Sequence, residues 1–388
     1  MRRKINRVLS FALLAAMIIS LAACNSTGST GSTASVAPTE PSQNTTDETY
    51  TIRFSSMNPS EDNKYSVVCK AWFNYIEEQT NGAVQFEEYY NSTAAEAEDQ
   101  LDAARTGIVD IGEMFSPFWG NNFTLWELFN LPFQYSFPDG YTYTHAALAM
   151  IQKYPEFIEQ VESQGVHFVL MHGDGVNQIF SKEPIESISD LQGKIFNVGS
   201  VTDKKLMEKL GASTEMMDSM DVFDNVSKGV LDGFNQCYAG SFVTGSIDAV
   251  SYITEINSSH QGWFFVMNDD VYNSLPEEYR KYFDLPETEE FMNLLGYQFA
   301  QDELLRREQL KNDPNYTFID LGDEYQEWID AASGMSTEWI DEVTAQGYDG
   351  KAMYEDWKNF LAQYADADFS GYKEELENLG VTVPDGWN

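Results

Sequence analysis

From residue 51 onward the chain alternates short β-rich runs with helical stretches, and that order restricts it to the α/β class. Thr51-Ile52-Arg53-Phe54-Ser55 has the β-branched and aromatic content of a strand. Val68, Trp72, Phe73 and Ile76 then fall on one helical face of 65–80. Asn81-Gly82 follows, where a helix wants a left-handed residue to end on. Val84 and Phe86 continue as a strand, 94–106 as a helix closed by Gly107, and Ile108-Val109-Asp110-Ile111 as a buried strand. A helical stretch over 141–164, broken at Pro155, precedes the strand Val166-His167-Phe168-Val169-Leu170. Strands separated by helices in this way predict a mostly parallel sheet.

A second cycle begins near Asp174. Lys194-Ile195-Phe196-Asn197-Val198 reads as a strand, and helices over 202–210 and 221–228 end at Gly211 and Gly229. After a strand over 263–267, Asn268-Asp269 caps a helix and Leu275-Pro276-Glu277-Glu278 opens the next, with proline near its start and acids in its first turn. From Glu287 to about Asn312 one helix runs without proline, interrupted only by Gly296, long enough to brace two lobes. Short helices follow over 324–332 and 353–364. The length beyond the N-terminal segment, about 340 residues, exceeds what one core usually supports, so two lobes are expected.

The N-terminal segment is of another kind. Arg2, Arg3, Lys4 and Arg7 precede an apolar run over 8–21 that is short for a bilayer span. It closes on Leu21-Ala22-Ala23-Cys24, the pattern of a lipoprotein signal in which Cys24 becomes the first mature residue and carries lipid on its thiol. Residues 25–46 are rich in Ser, Thr and Gly and cannot bury a core, which predicts a flexible tether. The expected location is therefore the outer face of the cell membrane, held there by lipid.

Charge and composition exclude several partners. The chain has 23 basic and 62 acidic residues, net −39, and four of the basic ones belong to the signal. Such a body repels nucleic acid and anionic headgroups, and solubility at the cell exterior accounts for most of that acidity. Cys69 and Cys237 are expected as buried thiols, because a bridge would add little to a two-lobed body that flexes. His145, His167, His172 and His260 are scattered without metal-ligand spacing, and no nucleophile elbow or phosphate loop is present. Gly173-Asp174-Gly175 lacks the third glycine of a dinucleotide fingerprint. No enzyme, cofactor or metal site is predicted.

Several blocks, in order, resemble the substrate-binding proteins of tripartite ATP-independent periplasmic (TRAP) transporters, the dicarboxylate-receptor type. They are Glu77-Glu78-Gln79-Thr80-Asn81-Gly82, then Ala104 through Gly112, then Leu128-Phe129-Asn130-Leu131-Pro132-Phe133. Ser181-Lys182-Glu183-Pro184-Ile185 leads into Asp190-Leu191-Gln192-Gly193-Lys194-Ile195, followed by Leu210-Gly211-Ala212, Gly229-Val230-Leu231-Asp232-Gly233 and Leu275-Pro276. The resemblance covers roughly residues 50 to 365. It implies a two-lobed periplasmic-binding-protein-like α/β fold with hinge strands and a long helix bracing both lobes. The expected division is 1–23 signal, 24–49 tether, 50–172 with about 261–300 as lobe I, and 173–260 with about 301–388 as lobe II. It also implies that a small solute is captured in the cleft and delivered to membrane permease subunits driven by an ion gradient.

The resemblance breaks at two positions that matter. Where the family's strand reads Lys-Ile-Arg and the arginine holds a ligand carboxylate, this chain has Lys194-Ile195-Phe196. A second arginine of the family aligns with Asn177. A guanidinium matches two carboxylate oxygens with two parallel donors, which neither substitute can do. A neutral polar ligand is therefore favoured, with an organic acid possible if Lys182 or Lys194 swings in. Further cleft candidates by family position are Met57, Asn58, Glu113, Phe115, Trp119, Asn235, Gln236 and Tyr238. A solute-binding lipoprotein of an ATP-driven importer, or an anchored extracellular hydrolase, are the competing expectations.

Overall fold

The computed structural model describes residues 49–58, 64–119, 122–217 and 219–365, with four further positions at 374–375 and 377–378. The signal, all of the tether but its last residue, and Cys24 lie outside the described residues. Among the described residues no helix is long and apolar enough to cross a membrane.

Two sheets organise the body. β1 (Tyr50–Ser55), β2 (Val84–Tyr89), β3 (Ile111–Phe115), β4 (Val166–Gly173) and a returning strand, β10 (Gly262–Asn268), lie in the order β2-β1-β3-β10-β4. β1 is parallel to β2 and β3, while β10 is antiparallel to both β3 and β4. The second sheet holds β5 (Gln178–Ser181), β6 (Ile195–Val198), β7 (Ser213–Glu215), β8 (Gly233–Gln236), β9 (Tyr252–Thr254) and β11 (Thr317–Ile319), in the order β11-β9-β5-β8-β6-β7. Here β5 is antiparallel to both neighbours and the other pairs are parallel. The expected mostly parallel sheet is thus corrected to two mixed sheets. The cause is the path of the chain: β5 and β10 each arrive from the other sheet and enter from the opposite end.

The strand expected at 108–111 starts only at Ile111. Gly107 turns at φ +75°, and Arg53 holds the turn by donating to Gly107 O, Ile108 O and both carboxylate oxygens of Asp110. Elsewhere the local signals act as physics requires. Asn81 and Gly82 take φ of 52° and 78° beyond α1 (Lys64–Gln79), and Asn268 accepts from Val271 N at 3.0 Å.

Helices α2 (Gln100–Arg105), α3 (Gly140–Lys153) and α4 (Glu156–Glu162) accompany the first sheet, and α5 (Val201–Lys209), α6 (Val222–Ser227) and α7 (Tyr238–Val243) the second. The short α8 (Asp269–Ser274) and α9 (Glu277–Arg280) lead to α10 (Glu289–Lys311), the expected brace. Its Phe291, Met292, Leu295 and Tyr297 join the core of the first sheet, while Leu310 joins a core cluster of the second. α11 (Tyr325–Ala332), α12 (Gly334–Ala345) and α13 (Gly350–Tyr364) complete the chain. Placing all of 301–388 with the second lobe does not match this packing. Trp328 of α11 packs there, but Trp339, Val343, Met353, Trp357 and Leu361 are buried with the first sheet's core. Met353, Trp357 and Leu361 recur every four residues, and that apolar face lies against α3.

Two irregular segments, 174–177 and 255–261, join strands of one sheet to strands of the other. The two crossings are tied together: Asn177 N donates to Ser259 O at 2.8 Å, Ser258 N to Asn177 O at 2.9 Å, and Asp174 N to Gln261 O at 3.2 Å.

Candidate functional site

Strand register places the site. β1 and β3 end at Ser55 and Phe115, and antiparallel β10 begins beside them, with Trp263 opposite Phe115 and Gly262 opposite Gly173. In the second sheet β6 and β8 end at Val198 and Gln236, and Gln236 lies opposite Gln178 at the start of β5. The carboxyl ends of both sets of parallel strands therefore open onto the same pair of crossings, where open α/β sheets bind ligands.

On the first-sheet side, Glu113 of β3 is fully buried. It accepts from Ser56 Oγ, and Asn58 Nδ2 reaches its two oxygens at 3.0 and 3.2 Å. Met57 and Asn58 are half-buried on the turn after β1, which Ser56 Oγ fixes by accepting from Asn58 N at 2.9 Å. Phe115 stacks edge-on with Phe118 at 5.1 Å and leans on Trp263 at 4.7 Å. Trp119 packs half-buried beside the core, and its Nε1 has no partner.

The second-sheet side is a buried polar network. Asp203 accepts from Ser200 Oγ at 2.7 Å, Gln261 Nε2 at 2.7 Å, Asn177 Nδ2 at 3.3 Å and Ser259 Oγ. Burial pushes its carboxyl above the usual range, while those four donors oppose the shift. Asn235 of β8 donates through Nδ2 to Gln178 O and Ser258 Oγ, both at 3.2 Å. Asn177 and Asn235 are thus brought together through Ser258. Asn58 joins Glu113, and Phe115 joins Trp263.

The remaining candidates are held by other contacts. Phe196 is fully buried among Ile179, Val198 and Leu206, and it covers Gly233, where a Cβ would lie 2.7 Å from its ring and 2.1 Å from Phe180 O. Tyr238 is fully buried in another cluster, and its hydroxyl donates to Glu255 at 2.8 Å. Arg307 donates to the same carboxylate, at 2.7 Å from its Nη2. Gln236 accepts from Ser246 Oγ at 3.4 Å. Lys194 pairs with Glu183 at 2.5 Å, and Lys182 donates to Val226 O at 3.1 Å, so neither lysine reaches the crossings.

Acids and imidazoles also gather at the crossings. Burial pushes Asp174 and Glu303 up to about 8, and drives His260 down to about 3 and His172 to about 4. Glu303, on α10, accepts from Ala239 N at 2.6 Å and Tyr238 N at 3.1 Å, capping α7 from outside. Gly175 makes room for it, since a Cβ there would lie 2.2 Å from the Glu303 carboxyl carbon. Cys69 and Cys237 are both buried thiols, and burial raises the pKa of Cys237.

Sequence reasoning missed Asp203, Ser259 and Gln261. A signal for Asp203 was available: Ser200-Val201-Thr202-Asp203 has capping-box spacing, and Ser200 Oγ accepts from Asp203 N at 2.8 Å. Ser259 and Gln261 sit in an irregular crossing with no periodicity to mark them.

Comparison with known proteins gives the following. The family described as "Bacterial extracellular solute-binding protein, family 7" matches residues 54–341. The C4-dicarboxylate-binding periplasmic protein DctP of Rhodobacter capsulatus is 24% identical over 209 residues, 53% of this chain and 61% of that one. The match spans about half the length of two further curated relatives. A TRAP solute-binding protein from Rhodoferax ferrireducens, crystallised with copurified benzoate, superposes with a TM-score of 0.73 at 20% identity, over 82% of this chain and 99% of that one. One from Bordetella bronchiseptica with bound (R)- and (S)-mandelate gives 0.73 at 20% identity, over 81% and 99%.

Proposed function

The chain belongs to family 7 of the bacterial extracellular solute-binding proteins, and from that premise we propose that it is the extracytoplasmic receptor of a TRAP-type secondary transporter. The observation that carries this is the convergence of both sheets' strand ends on two tied crossings braced by α10. A solute entering there touches both lobes, so its binding energy favours the closed form. The closed receptor then docks on membrane permease subunits. The chemistry is capture and release. The relatives with a stated role are solute-binding proteins, and no observation favours the importer or hydrolase alternatives.

The ligand is held without an arginine–carboxylate clamp. Related structures carry benzoate or mandelate, but Asn177 and Phe196 stand where the resemblance expects arginines, and Lys182 and Lys194 are engaged elsewhere. A buried carboxylate without a charged partner loses its hydration for little return. Native mass spectrometry of solute co-purifying with the receptor, with thermal-shift confirmation, tests the proposal. A bound small molecule that raises the melting temperature supports it. Catalytic turnover of that molecule would refute it.

Cys24 is proposed as the lipid anchor, which would put the receptor on the outer face of the cell membrane. Cys24→Ser is expected to release the protein from membranes into the soluble fraction. Retention of the variant after a high-salt wash would contradict the anchor.

A further inference from the structure

A second brace runs from lobe to lobe beside α10, and it has a break in it. Trp328 and Ala332 of α11 and Met335 of α12 are buried in a core cluster of the second sheet. Trp339 and Val343 of α12 are buried in that of the first. These five recur at helical spacing, so α11 and α12 present one apolar stripe that passes from one core to the other. Each half is fastened to its own lobe. Tyr325 Oη donates to Ile256 O at 2.9 Å and α11 packs on α5, while Trp339 Nε1 donates to Thr124 O at 2.8 Å and α12 packs on α13. Between the halves the helical ladder is interrupted. Ser333 N donates to Asp330 O at 3.2 Å, three residues back instead of four, and Ser333 Oγ donates to the same oxygen at 2.7 Å. The next residue is Gly334, and both are exposed. Serine–glycine pairs are among the few recognised causes of a helix kink.

Space does not call for this glycine. A Cβ on Gly140, Gly240, Gly296 or Gly350, each within a helix, would meet another atom at 2.6, 2.9, 2.4 or 2.5 Å. On Gly334 the nearest atom would be Glu338 Oε1 at 3.8 Å, and its φ lies outside the left-handed region. An exposed helical glycine that neither packing nor φ requires only lowers stability relative to alanine. What it supplies is freedom to bend. Resting on the receptor reading above, we propose that Ser333-Gly334 is the joint of this second brace, and that the residue at 334 sets how far the lobes move. Any rotation of one lobe against the other must be taken up between Tyr325 and Trp339, where the anchors change lobe. The interrupted ladder is the softest point on that path. Met335, just past the joint, can keep the second cluster covered during a bend, because its unbranched thioether changes rotamer readily. The ion pair of Lys209 with Glu338, at 3.0 Å, joins two long side chains that follow the same motion.

Double electron–electron resonance between the lobes tests this. Nitroxides are attached through Glu78→Cys on α1 and Asp224→Cys on α6, both exposed, in the mature chain carrying Cys24→Ser; Cys69 and Cys237 are buried. After dialysis to remove bound solute, the parent is expected to show a broad distance distribution. Gly334→Ala should narrow its width by about half, because alanine removes most of glycine's backbone freedom. The same substitution should raise the melting temperature by about 1–3 °C. Thr344→Ala, exposed on α12 away from the joint, controls for helix stabilisation alone. It is expected to raise the melting temperature comparably and leave the width unchanged. Equal widths in Gly334→Ala and the parent, or the same narrowing in Thr344→Ala, overturn the inference while the receptor proposal stands. A lower melting temperature for Gly334→Ala also overturns it, since shape would then require the glycine. A single narrow distance in the parent, identical before and after dialysis, counts against both.

Discussion

Phe196 shows how one side chain can close off a chemistry. Its ring lies fully buried over Gly233, in a cluster with Ile179, Val198 and Leu206. Phe196 stands where the resemblance expects a clamp arginine, which makes Phe196→Arg the obvious substitution for restoring carboxylate binding. The packing argues otherwise. An arginine there would lose the ring's contacts and bury a guanidinium among the apolar side chains of that cluster. Phe196→Arg is expected to destabilise the fold by about 4 kcal/mol or more, measured by urea unfolding, and not to confer succinate binding. A stable variant that binds succinate would show that the position faces the cleft.

At the scale of elements, α10 and α3 cross at small residues. A Cβ on Gly296 would lie 2.4 Å from Thr144 Oγ1 and 2.8 Å from Gly140 O. Gly296→Ala should therefore force the helices apart and cost about 1–3 kcal/mol by urea unfolding, although alanine is the better helix former. A stabilised variant would mean that the contact yields. This glycine also marks a limit of sequence reasoning. It stood out as an interruption in a long helix, and its reason, a close approach to a helix about 150 residues earlier, is invisible locally. The long helices, the capping signals at Asn81-Gly82 and Asn268, and most first-lobe strands were legible because periodicity and turn chemistry are local. The short strands β7, β9 and β11, each three residues, carry too little pattern to be seen. Strand direction was misjudged because it depends on where the chain crosses between sheets. At the site, Asn58, Glu113, Asn177 and Asn235 were named by family position, and each sits in a polar network near the strand ends. The donors around Asp203 were not, because crossing segments have neither helical nor strand period.

The whole molecule carries a pH signature. Burial raises Asp139, Asp174 and Glu303 to about 8, and His167, against its own desolvation, is raised to about 9 by Asp284 and Glu162. These groups hold protons in the native state that the unfolded chain has released, so their contribution is lost as pH rises through 8 and 9. His172 and His260, lowered by burial, contribute in the opposite sense, but only as pH falls below the ordinary histidine range. The melting temperature at fixed high salt, which screens surface repulsion, should drop by about 5 °C or more from pH 6.5 to 9. A flat or rising profile over that interval would mean that these groups are solvated in the native state.

Lobe closure over a solute at the two crossings is the central claim, and small-angle X-ray scattering of the mature chain tests it most directly. With a solute shown by calorimetry to saturate the receptor, the radius of gyration is expected to fall as the two sheets close on the crossings. An unchanged scattering profile at proven saturation would contradict a hinged receptor and leave binding without the motion that delivers the solute.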